Sequence, residues 1–167
     1  QNCILEIGFG IGLNALLTAI QAEKTQKNIQ YIGLEAYPLE PHLWQAIDYG
    51  LSDSGKWYTS MHEGPWENWQ EVSPHFALKK SQAFMEDFHP EFLVDCIYYD
   101  AFGPRAQEEM WEEKCFFQLF QWLKPGGILV TYCAKGSVRR AMLAAGFEVE
   151  RLPGPPGKRE MLRAKKV

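Results

Sequence analysis

The feature that most constrains this chain lies near its start: Glu6-Ile7-Gly8-Phe9-Gly10-Ile11-Gly12-Leu13-Asn14. An apolar stretch, Cys3–Ile7, leads into it and reads as a buried strand. Ala, Leu and Ile at helical spacing follow from Asn14 to about Glu23 and read as a helix. Strand, glycine loop, helix is how an open α/β sheet presents its backbone to a ligand. Glycine permits the tight turn and lets the backbone approach a bound molecule closely.

The rest of the chain keeps the alternation. Gln30–Glu35 is a second strand ending in an acid, and Pro38 opens a helix that runs to about Tyr49. Residues 51–75, with Trp57, Tyr58, Trp66 and Trp69 among polar residues, form an irregular insertion or a short helical piece. Phe76–Lys80 is a weak strand and Ser81–Phe88 a short helix. Asp95–Asp100 is a strong strand, and Gln107–Leu123 an amphipathic helix stopped by Pro125-Gly126-Gly127. Ile128–Cys133 is a strand and Lys135–Ala145 a helix closed by Gly146. Phe147–Leu152 and Glu160–Lys165 are final strands joined by the Pro153–Gly157 loop. Strands alternating with helices imply a mostly parallel sheet, here of seven strands, with helices on both faces. The last loop leaves no room for a crossover helix, so its two strands pair antiparallel.

The spacing of the loop narrows the ligand. It is G-x-G-x-G, whereas the dinucleotide fingerprint is G-x-G-x-x-G and sets a pyrophosphate on a helix N-terminus. Glu6, just before the loop, is awkward beside a pyrophosphate. It suits S-adenosylmethionine, which has no phosphate and carries an ammonium and a sulfonium. Glu6 either attracts that ammonium or holds the loop through backbone N–H groups. Glu35, roughly 20 residues past the loop, ends the second strand, where a carboxylate accepts from both ribose hydroxyls. A nicotinamide oxidoreductase is the alternative that the spacing disfavours.

Asp100-Ala101-Phe102-Gly103-Pro104 follows a central strand, at the edge where open α/β sheets place ligands. Methyl transfer to nitrogen needs an unprotonated lone pair, and a carboxylate can take the amine proton or orient the amine. Phe102 and Pro104 would wall a flat base. Asp100 as a turn cap and Phe102 as core are the structural alternatives.

These motifs, in this order, resemble the methyltransferase half of the bifunctional tRNA 5-methylaminomethyl-2-thiouridine biosynthesis (MnmC-type) proteins and their stand-alone relatives. The resemblance runs through EIGFGIGLN (Glu6–Asn14), LEAYPL (Leu34–Leu39), DAFGP with Met110-Trp111, LKPGG (Leu123–Gly127), Val138-Arg139-Arg140, AGF (Ala145–Phe147) and GKREML (Gly157–Leu162). It implies a Rossmann-like class I S-adenosylmethionine-dependent methyltransferase. Its substrate would be the 5-aminomethyl group of the tRNA wobble uridine, thiolated or not. By the same resemblance Glu6, Gly8, Phe9, Gly10, Gly12 and Asn14 form the cofactor loop, and Glu35 holds the ribose. Asp100 sits beside the transferable methyl and the acceptor amine, and Phe102 and Pro104 meet the base. Lys158 and Arg159 lie near the active-site mouth or the tRNA. Relatives often carry Gly-Asp near the adenine; here Ser81-Gln82 stands in that place, with Gln82 able to bond the adenine amine.

Composition fits this outline. The 167 residues are 46% hydrophobic and 23% charged, as in an ordinary single globular domain spanning 1–167. No apolar run approaches the roughly 18 residues of a membrane span, and no signal peptide is visible. The chain starts at Gln1, directly before a strand, which suggests a missing N-terminal segment. The oxidase half of the bifunctional relatives is not expected in this chain, so an aminomethyl substrate would come from elsewhere. Cys3, Cys96, Cys115 and Cys133 form no CxxC pair; reduced thiols in the cytoplasm are expected, and no metal site. The net charge of −4 conceals a division: +7 from Lys124 onward and −11 before it. The basic third (Lys135, Arg139, Arg140, Arg151, Lys158, Arg159, Arg163, Lys165, Lys166) suits tRNA phosphates, or is a solvated face. His42, His62, His75 and His89 have no metal-ligand spacing and read as surface residues; Trp57, Trp66 and Trp69 read as packing. A small-molecule methyltransferase and a non-catalytic tRNA- or partner-binding module on the same fold are the competing functions.

Overall fold

The computed structural model describes residues 2–50, 55–102 and 105–167. The chain divides into two compact units, Gln1–Asp87 and Phe88–Val167. The described residues contain eight strands, four in each unit.

In unit 1 the strands are β1 (Asn2–Ile7), β2 (Ile29–Leu34), β3 (Trp69–Ser73) and β4 (Phe76–Ser81), in the order β3-β4-β2-β1. β2 pairs parallel with both β1 and β4, and β3 pairs antiparallel with β4. β1 is buried from Cys3 to Ile7, the near-continuous apolar run of a strand covered on both faces. Helix α1 (Leu13–Thr25) packs on β2, β3 and β4 through Ala15, Leu16, Ala19 and Ala22, a stripe at helical spacing whose alanines allow close approach. Its last turn is tied down by Glu23, which accepts from Ser73 Oγ at 2.6 Å and His75 N at 2.7 Å. Burial pushes this carboxyl up, but those two hydrogen bonds outweigh it and hold it below the usual range.

The helix expected from Pro38 shrinks to α2 (Pro41–Gln45), with Pro41 rather than Pro38 in the first turn. The undecided insertion supplies α3 (Gly55–Glu63) and β3, the strand that raises the expected seven to eight. Of the helix expected over Ser81–Phe88 only a 3-10 turn, Met85–Asp87, forms.

In unit 2 the order is β5-β6-β8-β7, with β5 (Val94–Tyr99), β6 (Leu123–Thr131), β7 (Glu148–Pro153) and β8 (Glu160–Lys165). β5 and β6 are parallel, while β8 runs antiparallel to both neighbours, as the short final loop requires. The expected helix over Gln107–Leu123 is two pieces, a 3-10 turn (Glu108–Trp111) and α4 (Glu113–Trp122). Pro125-Gly126-Gly127 does not separate helix from strand: β6 begins at Leu123 and absorbs the glycines in an irregularity between Val94 and Cys96. Lys166 Nζ donates to the carbonyls of Phe120 and Leu123 at 2.9 and 2.8 Å, supplying partners at the end of α4. Helix α5 is Gly136–Ala144, with Val138 and Met142 buried. All four cysteines stand as thiols; Cys96 and Cys133 are only partly buried, and burial, helped by Asp95, pushes the Cys96 thiol up to about 12. No helix of the described residues is long and apolar enough to cross a membrane.

Candidate active site

The glycine loop is held from several sides. Gly8 N and Phe9 N both donate to Leu34 O, at 2.9 and 3.0 Å, so the loop hangs from the end of β2. Gly10 and Gly12 have φ of 53° and 78°, the left-handed region that side chains resist. Gly12 is also the N-cap of α1 and provides no side-chain cap. Gly12 therefore offers the first amides of the helix no side-chain oxygen, an arrangement suited to a ligand's polar groups.

Glu35 takes Gly10 N–H on Oε2 at 2.9 Å and Tyr37 N–H on Oε1 at 3.0 Å. Each oxygen bonded this way keeps one lone pair, so the carboxylate is pre-oriented to accept two hydroxyls. Glu6 is 1% exposed. Asn14 Nδ2 donates to its Oε1 at 2.8 Å and Tyr31 Oη to its Oε2 at 2.7 Å. Through Asn14 and Tyr31 Glu6 ties β1 to α1 and β2. The Phe9 ring turns inward: a Cβ on Gly33 would overlap it, so glycine at 33 is what admits the ring.

A pocket of about 370 Å³ opens beside the loop, bordered by Gly10, Glu35, Trp44, His62, Trp66 and Lys80 among others. That volume lies in the range of small-molecule sites, roughly 300–1,000 Å³. His62, expected at the surface, is half-buried in an aromatic box. It stacks on Trp44 (4.6 Å, 9°) and meets Tyr58 edge-on at 4.7 Å. Its Nε2 lies 2.8 Å from Ile11 O. Burial lowers its pKa, and the charge of Lys80 lowers it further against the hydrogen bond to Ile11. Lys80 is 1% exposed, donates to His62 O at 3.0 Å and lies 4.9 Å from the Trp66 ring centre. Burial brings its ammonium down to about 8.

Gln82 is exposed at the end of β4, and its N–H donates to Glu67 Oε1 at 2.7 Å, while Ser81 Oγ donates to Oε2 at 2.6 Å. Glu67, at φ 64°, thus brings a carboxylate to the strand end where sequence reasoning found none. A positive φ on glutamate leaves no mark in the sequence. Lys80 did leave one: Phe76, Leu78 and Lys80 alternate onto one buried face. Trp44 and His62 meet only through the fold.

In unit 2 Asp100 is exposed immediately beyond β5. Phe102, 68% exposed, is not core. Trp111 Nε1 donates to Phe102 O at 2.7 Å, and Tyr99 Oη donates to Met110 O. The Met-Trp pair thus anchors the chain on both sides of Asp100. Burial, with a smaller contribution from Cys115, keeps the Tyr99 hydroxyl protonated far above the usual tyrosine value. Gly103 and Pro104 lie outside the described residues. Lys158 and Arg159 are exposed after the Pro/Gly loop, and Lys158 Nζ is 5.9 Å from the ring of Tyr132, a partly exposed aromatic just past β6 that the sequence did not single out. Among the other basic residues Arg163 pairs with Glu150 at 2.6 Å, Arg151 with Glu160 at 3.5 Å, and Lys166 with the carbonyls above.

A family model described as S-adenosyl-L-methionine-dependent methyltransferase matches residues 71–167. The chain belongs to this methyltransferase family. The MnmC likeness read from the motifs is also found. The methyltransferase is 29% identical over 170 residues to the tRNA 5-methylaminomethyl-2-thiouridine biosynthesis bifunctional protein MnmC of Hydrogenovibrio crunogenus, covering 95% of this chain and 25% of that one. It spans about a quarter of the length of the curated relatives it matches. The crystal structure of MNMC2 from Aquifex aeolicus superimposes with a TM-score of 0.79 over 98% of this chain and 52% of that chain, at 21% identity. SAM-bound CalS10, an amino pentose methyltransferase from Micromonospora echinaspora, gives 0.60 over 99% and 84%, at 12%. The fold of the methyltransferase is the Rossmann-like class I fold, and its cofactor is S-adenosylmethionine.

Proposed function

We propose that this chain methylates the amine of a 5-aminomethyl group on the wobble uridine of tRNA, giving the 5-methylaminomethyl nucleoside, in the cytoplasm. The observation that carries the reading is the face of unit 2. Asp100 stands exposed at the carboxyl edge of β5, next to an exposed Phe102 whose carbonyl is pinned by Trp111. The names of the MnmC relatives point to the same substrate. The whole chain, 1–167, then works as one methyltransferase domain.

The residues present fit the cofactor. Gly8, Gly10 and Gly12 offer close backbone, Glu35 offers acceptors for the ribose, and Gln82 with Glu67 offers polar groups for the adenine edge. Glu6 and Asn14 set the start of α1 against the loop, and Phe9 fills the space beneath it. When bound, S-adenosylmethionine supplies a methyl group activated by a sulfonium. Asp100 accepts a hydrogen bond from the acceptor amine, keeps its lone pair available and takes up the proton that methylation makes labile. Phe102 stacks on the uracil, and Lys158 and Arg159 neutralise flanking phosphates. Holding the amine in line accounts for most of the acceleration.

Purified chain, given cofactor and tRNA carrying 5-aminomethyluridine, is expected to add one methyl to the wobble nucleoside, read by nucleoside mass spectrometry. Asp100→Ala is expected to lose at least about 100-fold in turnover while still binding S-adenosylhomocysteine. Wild-type turnover in that variant removes Asp100 from the mechanism. A parent chain that binds S-adenosylhomocysteine yet leaves this tRNA unmethylated removes the substrate.

A further inference from the structure

The Ile11–Gly12 peptide is gripped at both ends. Gly12 N–H donates to Phe9 O at 2.9 Å, and Ile11 O faces His62 Nε2 at 2.8 Å across 51 residues of sequence. A carbonyl only accepts, so Nε2 carries the hydrogen. Two peptides back, Gly10 N–H is held by Glu35. The contact beneath the loop is close: a Cβ on Gly12 would lie 3.1 Å from Phe9 Cζ and 3.3 Å from His62 Nε2.

The His62 ring is itself fixed, stacked on Trp44 of α2 and bordered by Tyr58 of α3 and by Phe9 (5.9 Å, 59°). Its own backbone carbonyl accepts from Lys80 of β4. A glycine loop has several backbone conformations of similar energy. A donor arriving from another element selects one of them before any ligand arrives, and a ligand then binds without the cost of ordering the loop.

We infer that His62 is a positioning residue for S-adenosylmethionine: by donating from Nε2 to the Ile11 carbonyl it holds the glycine loop in its binding conformation. This rests on the family's cofactor and not on the tRNA substrate, so it survives a failure of the substrate proposal.

The test is calorimetric titration of the full chain with S-adenosylhomocysteine, beside thermal unfolding of each variant. His62→Phe keeps a flat ring on Trp44 and removes the donor. His62→Gln keeps a donor at similar reach and removes the ring. The expected result is a roughly tenfold weaker Kd for His62→Phe, about one hydrogen bond, and a Kd within about threefold of the parent for His62→Gln, even where its Tm falls further. Parent-like binding by His62→Phe overturns the inference. So does an equal loss in both variants, because the ring alone would then matter.

Discussion

The surroundings of the glycine loop in unit 1 and the carboxyl edge of β5 in unit 2 are built on opposite lines. Around the loop the charged groups are sunk and bonded: Glu6 at 1% exposure to Asn14 and Tyr31, and Lys80 at 1% to His62 O. Around β5 they stand in solvent: Asp100, Lys158 and Arg159 are exposed, and the aromatic groups beside them, Phe102 and Tyr132, are partly or largely uncovered. The first arrangement suits a small ligand that is the same in every turnover, because fixed dipoles need not reorganise for it. The second suits an acceptor delivered by a large partner, whose own bulk removes the water. The root of the second region is anchored by hydrogen bonds of Trp111 and Tyr99.

The largest expected effect lies at Gly10. Its φ of 53° is hostile to a β-branched residue even though the nearest atom to an added Cβ is 3.9 Å away. Gly10→Val should therefore lose S-adenosylhomocysteine binding altogether, with the fold retained by circular dichroism. Binding in that variant would mean that the loop is adaptable, not preset. In unit 2, Phe102→Ala should weaken tRNA binding about tenfold to a hundredfold, in line with one lost base stack, and leave the cofactor Kd unchanged. A change in both constants would show that the two regions are not independent.

The smallest effect is on pH dependence. Lys80 titrates at about 8 in the folded chain against 10.5 ordinarily. Between those values the unfolded chain holds a proton that the folded one has shed, so this group makes stability rise with pH across the window and fall as pH drops through it. Tyr58, pushed up to about 12 by burial first and by Tyr49 second, acts with the opposite sign, and only above pH 10. Urea unfolding from pH 8 to 10 should show the rise in the parent and a flatter line in Lys80→Met. Identical slopes would mean that Lys80 is solvated after all.

Much of this was legible in advance where a single local signal sufficed. β1, α1, the acid closing β2 and the antiparallel pair β7–β8 follow from apolar runs, helical spacing and a loop too short for a crossover. The position of Asp100 just past β5 was readable because the apolar run of that strand ends there. What escaped depends on contacts distant in sequence. His62 read as a surface residue and Trp44 carried no signal, because nothing local brings them together. Glu67 carried no sequence signal, because its backbone position is set by Lys80 O at the end of β4. The helices foreseen at Pro38 and Ser81 failed for a related reason: few of their residues have an apolar face to bury, so only Pro41–Gln45 and a single turn persist. Pro125-Gly126-Gly127 read as a helix stop on composition, yet Gly126 and Lys166 share a backbone bond of 2.7 Å that draws the glycines into β6.

The uncapped start of α1 has a consequence for the molecule's lifetime. With Gly12 as its N-cap and no acid in the first turn, α1 begins with no capping side chain from its own N-cap residue. A ligand seated there completes the helix, so its binding free energy adds to folding free energy: about 2.7 kcal/mol at a hundred times Kd. Resistance to proteolysis should then rise and fall with the local supply of the ligand, and chains in a depleted cell would be cleared sooner than chains in a well-fed one.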